Sequence, residues 1–264
     1  MPGSELYFDS SLDSLGRLYC RLLGVPIVGL RIRVRRLKQI LPVKASRVLD
    51  AGCGRGVITR FLSSRYPDAA IDAVDADSDA QKTNREISEK AGFRHCNFID
   101  GDLTEYSVAD RYDLIVSVDN LEHVLDDRKV LQNFHESLET SGVLVVHVPH
   151  FYRRWPVFAW QKNFDVPGHV RPGYHLAQLV ERVEQAGFTV TKRGFSYGFL
   201  ENLTNNISYR ISGAEEKNRV IYALAFPFLN FLSWIGSFSK PSFGAGVWIV
   251  ATKQEKRPTG KNTD

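Results

Sequence analysis

The chain has 264 residues, 43% of them hydrophobic and 24% charged, the balance of an ordinary globular protein rather than a disordered or fibrous one. A formal net charge of +4 is too mild to mark a nucleic-acid surface, and outside Arg153-Arg154 basic and aromatic residues do not interleave as a nucleic-acid track would. Three scattered cysteines (Cys20, Cys53, Cys96) with no C-x-x-C argue against a disulfide framework or structural zinc site and for a reducing, cytoplasmic compartment.

The polar, acidic start (MPGSELYFDSSLDS) does not read as a secretory signal. Leu12, Leu15, Leu18, Tyr19, Leu22 and Leu23 then recur at helical spacing, and Pro26 interrupts, so residues 12–41 read as one or two helices. Arg31, Arg33, Arg35, Arg36 and Lys38 surround Leu30, Ile32, Val34 and Leu37. That pattern admits a solvated helix over the sheet edge, or a basic amphipathic element resting on anionic lipid or gripping an acidic substrate. Next comes the stretch around which the chain is organised, RVLDAGCGRG at 47–56: a short apolar run, an acid, then three alternating glycines. It predicts strand, tight turn and helix N-terminus, with glycine where the backbone takes unusual dihedrals and a ligand comes close. The spacing is neither that of a dinucleotide fingerprint nor of a P-loop. Asp50 before the turn would repel phosphate and suits a ligand with an ammonium group.

A second strand (Ala70–Val74) ends in Asp75, where doubly wound folds bind ribose hydroxyls. Ser78 to Ala91 reads as a helix capped by Ser78 and closed by Gly92. A third run (Cys96–Ile99) leads to Asp100-Gly101-Asp102-Leu103, and a fourth (Tyr112–Ser117) to Asp119-Asn120-Leu121-Glu122-His123. The fifth strand is Val143–Val148, a helix around Leu176–Val183 closes at Gly187, and Phe188–Lys192 and Val247–Ala251 are the sixth and seventh strands. Alternation of runs with helix-length segments predicts parallel βαβ units.

The pieces VLDAGCGRG, AVDAD, GDL and YDLIVSVDNLEHV, in this order, resemble the class I S-adenosylmethionine (SAM)-dependent methyltransferases over roughly residues 45–194. The resemblance implies an α/β fold with a doubly wound seven-stranded sheet, order 3-2-1-4-5-7-6, the last strand antiparallel. The N-terminal 1–44 and the insertions form a helical cap. The core then spans 45–194, a hydrophobic insertion 195–245, the final strand 246–253 and a flexible tail 254–264. It implies that Gly52 and Gly54 approach the methionine part of SAM and that Asp50 helps hold its ammonium. Asp75 would bind the ribose, and Asp102 with the Leu103 N–H the adenine. Ser117 and Asp119 would border the methyl end, with Ala51 and Ala76 completing the lining. An oxygen acceptor profits from a base titrating near neutrality, and His123, His169 and His150 are the candidates. No resident metal is expected. The alternative is that Glu122, His123 and His169 hold a divalent ion, since Asp119-x-x-Glu122-His123 resembles a motif of metal-assisted methyltransferases, with Asp119 where Glu is usual.

Two long connections depart from the resembled pattern. One, Phe151–Tyr174, is aromatic and basic (Tyr152, Arg153, Arg154, Trp155, Phe158, Trp160, Phe164). The other holds Val220–Phe238, nineteen uncharged residues interrupted by Pro227 and flanked by Lys217, Arg219 and Lys240. It reads as two short helices meeting at Pro227, serving as a buried cap, a homodimer contact, an interfacial membrane element or a span. The expected activity is SAM-dependent O-methylation of a small or lipid-linked acceptor. Alternatives are a soluble natural-product or sugar methyltransferase and a SAM-binding scaffold without turnover. Membrane-surface association through 220–238 and 31–38, at the inner face of a membrane, is an expectation of the first reading.

Overall fold

The computed structural model describes residues 1–152, 166–212 and 218–254. After a short 3-10 turn, Ser4–Phe8, the elements run α1 Ser14–Leu23, α2 Val28–Ile40, β1 Arg47–Ala51, α3 Val57–Arg65, β2 Ala70–Asp75, α4 Ser78–Ala91, β3 Cys96–Asp100, β4 Tyr112–Val118 and α5 Asp127–Ser137. They continue with β5 Leu138–Pro149, α6 Leu176–Gln185, β6 Phe188–Ser196, α7 Phe199–Ser212, α8 Arg219–Gly236 and β7 Gly246–Lys253. The expected basic and aromatic residues Arg153, Arg154, Trp155, Phe158, Trp160 and Phe164, Lys217 and the tail from 255 lie outside the described residues.

One seven-stranded sheet has the order β3-β2-β1-β4-β5-β7-β6. The strands from β1 to β5 are parallel, and β7 runs antiparallel to both its neighbours, as the motif order implies. Period-2 alternation along each strand builds two cores. Leu49, Ile115, Leu144 and Val146 face α5 and α6 with Phe134, Leu179 and Val183. Val48, Leu114, Val116 and Val145 face α2 and α3 with Leu37, Phe61 and Leu62. Cys20, Cys53 and Cys96 are all free thiols.

A third core (Val28, Ile32, Tyr197, Phe226, Leu229) glues α2 to α7 and α8 and makes the helical cap. Here three expectations are corrected. The Asp77 carboxylate, not Ser78, caps α4, accepting from the Ala80 N–H at 3.0 Å. The basic stripe of α2 turns inward. Arg31 and Arg36 are buried, Arg31 donating to backbone carbonyls of residues 23 and 25. Arg35 donates to Ser233 and Asn230 on α8, and Arg36 pairs with buried Glu201 at 3.8 Å. Arg31, Arg35 and Arg36 are therefore structural donors inside the cap, while Lys38 stays exposed. Nor does the segment around Pro227 break: α8 is one helix with Pro227 inside it.

The reason for that continuity is local. An interior proline removes the N–H that would satisfy the carbonyl four residues earlier, which here is Ala223. The Tyr19 hydroxyl of α1 donates to the Ala223 oxygen at 2.8 Å and fills the gap. Burial pushes the Tyr19 pKa up to about 12, so it remains a donor. Tyr19→Phe is expected to cost about 1 kcal/mol in urea unfolding, and much less in a Pro227→Ala background, where an N–H returns to the same carbonyl. Strictly additive losses in the double-mutant cycle would reject this account.

Candidate functional site

The carboxyl ends of β1, β2, β3 and β4 meet along one sheet edge, with Ala51 opposite Val74 and Asp75 opposite Asp100 in the register. The glycine turn crosses this edge. Gly52 (φ 79°) and Cys53 both donate to the Val74 carbonyl, and a Cβ on Gly52 would sit 2.3 Å from the Asn120 side chain. Gly54 (φ 48°) differs, since a Cβ there would meet no atom within 4 Å. The positive φ demands glycine, and the backbone faces open space of the kind a ligand needs.

Acids stand on the strand ends around the turn. Asp75 accepts from the Gly54 N–H at 2.7 Å and the Asp77 N–H at 3.0 Å, so it anchors the turn as well as facing the edge. Asp50 is buried and accepts from the Thr59 hydroxyl at 2.6 Å. Burial, reinforced by the nearby Asp75, lifts its pKa to about 7 against the Thr59 hydrogen bond. Exposed Asp102 accepts from the Thr104 N–H and hydroxyl, while Leu103 is buried and its carbonyl accepts from Asn133. Ala51 is buried in the strand and Ala76 is exposed beside Asp75.

The turn is braced from behind. Asn84 on α4 donates to the Gly54 carbonyl at 2.7 Å, and Arg60, fully buried on α3, donates to the Arg55 carbonyl and pairs with Glu5 of the 3-10 turn at 3.1 Å. The sequence gives no sign of either role, because Arg60 meets Glu5 55 positions away and Asn84 meets Gly54 30 positions away. A cavity of about 840 Å³ lies between that 3-10 turn and α3, lined by Tyr7, Phe8, Phe61 and Arg65. None of the strand-end acids lines it, so the site is assigned to the sheet edge by its chemistry.

Beyond the glycine turn, buried Ser117 lies near Asn120, and Asp119 forms a junction in left-handed backbone (φ 49°). Arg33 of α2 forms an ion pair with one of its oxygens, and the other lies 2.9 Å from His147 Nδ1 on β5. His147 Nε2 in turn meets the Ser196 hydroxyl at 2.7 Å. Burial opposes the Arg33 charge, but Asp119, with Glu122 adding to it, keeps the guanidinium firmly protonated. The sequence reading places Arg33 only in the basic stripe of α2 and does not single out His147, for which a histidine inside an otherwise apolar strand (VVHVP) is the available signal.

The rim carries the histidines. His123 and His169 stack edge to face with ring centroids 4.5 Å apart, and exposed His123 holds Nδ1 3.0 Å from the Gly168 carbonyl. Glu122, His123 and His169 bring potential ligand atoms within 4.8 Å of one another. Glu122 also feels the charge of Arg33. The pair is positioned by Asp127, buried on α5, which accepts from Arg171, Arg182 and the Tyr174 hydroxyl. Arg171 further donates to the Leu121 and Leu125 carbonyls, and the Val170 N–H to the Glu122 carbonyl, so His169 is clamped over the His123 loop. His150 lies apart, buried among Tyr152, His175, Phe195 and Phe243 with Nδ1 on the Gly244 carbonyl; burial pushes its pKa down.

A 3-2-1-4-5-7-6 sheet, a glycine turn facing open space and acids on successive strand ends define the class I SAM-dependent methyltransferase fold. The chain belongs to the methyltransferase-domain family, whose model matches residues 30–193. It is 30% identical over 146 residues to a trans-aconitate 2-methyltransferase of Streptomyces avermitilis, covering 54% of this chain and 50% of that protein. It is 29% identical over 104 residues to (S)-coclaurine N-methyltransferase of Thalictrum flavum subsp. glaucum, covering 39% and 29%. These matches span half or less of the curated relatives' length. The fold is shared with Haemonchus contortus phosphoethanolamine N-methyltransferase 2 solved with SAM (TM-score 0.62, 16% identity, 97% of this chain and 60% of that one). It is also shared with the [4+2]-cyclase SpnF (TM-score 0.58, 16% identity, 87% and 81%).

The glycine turn, the open space at Gly54 and the acids around it fit SAM. Asp75→Ala is expected to weaken binding of the product S-adenosylhomocysteine by about tenfold or more in calorimetry, since a charge-assisted hydrogen bond is worth about 1.5–3 kcal/mol; unchanged affinity rejects the assignment. A cationic ligand beside Asp50 favours its ionised form, so affinity should rise between about pH 6 and pH 8 and lose that rise in Asp50→Asn. Without ligand the sign is opposite for stability. A pKa raised from 3.8 to about 7 means the folded state holds the proton longer, so the contribution of Asp50 to stability falls as pH rises through that window.

Proposed function

We propose that this chain transfers a methyl group from SAM to an oxygen of a small or lipid-linked acceptor, such as a polar lipid, a quinone precursor or a lipid-carried sugar, admitted beneath the helical cap. The observation that carries this reading is the glycine turn with Gly54 open to a ligand, set between strand-end acids and a histidine pair at the rim. Bound SAM supplies an activated methyl on a sulfonium, so the chain needs mainly to position the acceptor. Asp75, Asp102 and the Leu103 N–H hold the nucleoside end, and the Ser117–Asp119 stretch borders the reacting end. His123, whose Nδ1–H donates to the Gly168 carbonyl, keeps Nε2 as the proton acceptor for an acceptor hydroxyl, with His169 beside it. Packed His150 is the weakest of the three candidates. Arg33 and Tyr197 close the cap side of the same site; the Tyr197 hydroxyl donates to the Gly29 carbonyl at 2.8 Å.

A second reading keeps the reaction and changes the device: Glu122, His123 and His169 hold a divalent ion that orients the acceptor oxygen. Activity abolished by chelator and restored by magnesium selects it; chelator-insensitive activity rejects it. A soluble natural-product or sugar acceptor, with the cap simply covering a pocket, and a scaffold without methyl transfer remain the competing functions. The SpnF cyclase shows that this fold hosts more than one chemistry.

Methyl-labelled SAM, incubated with cell extract and partitioned between organic and aqueous phases, tests the proposal. Label in the organic phase supports a lipid acceptor, label in water-soluble products a soluble one, and no transfer with any fraction supports the scaffold. His123→Ala and His169→Ala are expected to cut turnover by about 10²-fold or more while leaving S-adenosylhomocysteine affinity unchanged. Wild-type turnover in both variants sinks the base assignment.

A further inference from the structure

We propose that the outer face of the helical cap docks on an anionic lipid bilayer, so that the protein rests on the membrane surface without spanning it. α8 has two opposite faces. Tyr222, Phe226, Leu229 and Ser233 are buried against the rest of the cap. On the other side Val220, Leu224, Phe228, Phe231, Trp234 and Ile235 are each 41–78% exposed. After Arg219 the helix carries no charged side chain at all. A water-facing helix surface ordinarily holds its polar residues there, and an apolar patch of this extent marks an interaction site. α1 extends the patch: Leu15, Leu18 and Leu22, spaced along one face, are 47–75% exposed, and Tyr19 between them reaches Ala223 of α8.

Charge chooses the occupant. Exposed Arg21 on α1, Arg210 at the end of α7, and Arg219 and Lys240 at opposite ends of α8 border the patch, with half-buried Arg17 beside them. Among the described residues of these helices the exposed acid is Asp13, which caps α1 at its far end. An apolar face ringed by basic side chains with aromatic residues toward one end matches an anionic bilayer interface. It is poorly matched to a second copy. Laying α8 antiparallel on itself about a two-fold axis would set the Arg219 end of one copy against the Lys240 end of the other.

Spanning is excluded by what the inner face does. α8 has the length and mean hydropathy (18 residues, 1.3) of a span. Entering the bilayer would strip Arg35 from Asn230 and Ser233 and Tyr19 from Ala223. The cap that presents the patch outward carries Arg33 and Tyr197 on its inner side, so docking would set the acceptor entrance at the lipid surface. The methyl-transfer reading gives this surface its purpose but does not enter its test.

The test is co-sedimentation of the full chain with vesicles of phosphatidylcholine alone or with about one-third phosphatidylserine. The chain is expected to pellet with the anionic vesicles, roughly fivefold less with neutral ones, and to be released by about 0.5 M salt. The double variant Leu224→Glu/Phe228→Glu should lose most of this binding with its melting temperature and S-adenosylhomocysteine affinity unchanged. Failure to pellet, variant binding equal to wild type, or salt-insensitive binding overturns the proposal. So does a dimer in analytical ultracentrifugation that the same double variant splits, which assigns the face to a second copy. Water-soluble methylated products would reject the lipid-linked acceptor while leaving this result standing.

Discussion

The contact on which the rest of the site depends is the ion pair between Arg33 and Asp119. A carboxylate at the end of a central strand, partly removed from water, needs compensation, and it receives it from two directions. The cap supplies a guanidinium and the neighbouring strand an imidazole, which passes the contact on to Ser196 at the end of β6. Removing Arg33 would leave Asp119, partly buried, with His147 still as a partner. The cap is thereby tied to the sheet at the point where the methyl end of the cofactor is assigned. Cap geometry and acceptor geometry are one quantity.

A second buried carboxylate organises the rim in the same way. Asp127 gathers Arg171, Arg182 and Tyr174, so one acid on α5 ties the segment GHVRPGY to the loop after β4. Burial raises the Tyr174 pKa and keeps its hydroxyl a donor. Two histidines 46 positions apart in sequence meet because arginine, with its planar fork of donors, can reach a carboxylate and two carbonyls at once.

How much of this was legible follows from the range of each interaction. The glycine turn, the acids at strand ends and the strand order were readable because each rests on local chemistry repeated at βα spacing. The inward turn of the α2 arginines was not. A basic stripe looks the same whether it faces water or the acceptors of neighbouring elements, and only packing against α1, α7, α8 and the end of β4 decides. Pro227 was read as a break because sequence shows the missing N–H but not the tyrosine two hundred residues away that replaces it. His147 stayed hidden for a like reason. A single imidazole in an apolar strand acquires meaning only beside Asp119, which is distant in sequence and adjacent in the sheet.

Glu5 gives the N-terminal turn a reach that sheet topology would not suggest. Through Arg60 it touches the carbonyl of Arg55, and Arg60 shares Asn84 with the carbonyl of Gly54. The first eight residues add no strand, yet through Glu5 they brace the loop assigned to grip the cofactor. Changes at Glu5 are therefore expected to reach the glycine turn through a single buried guanidinium acting as a lever.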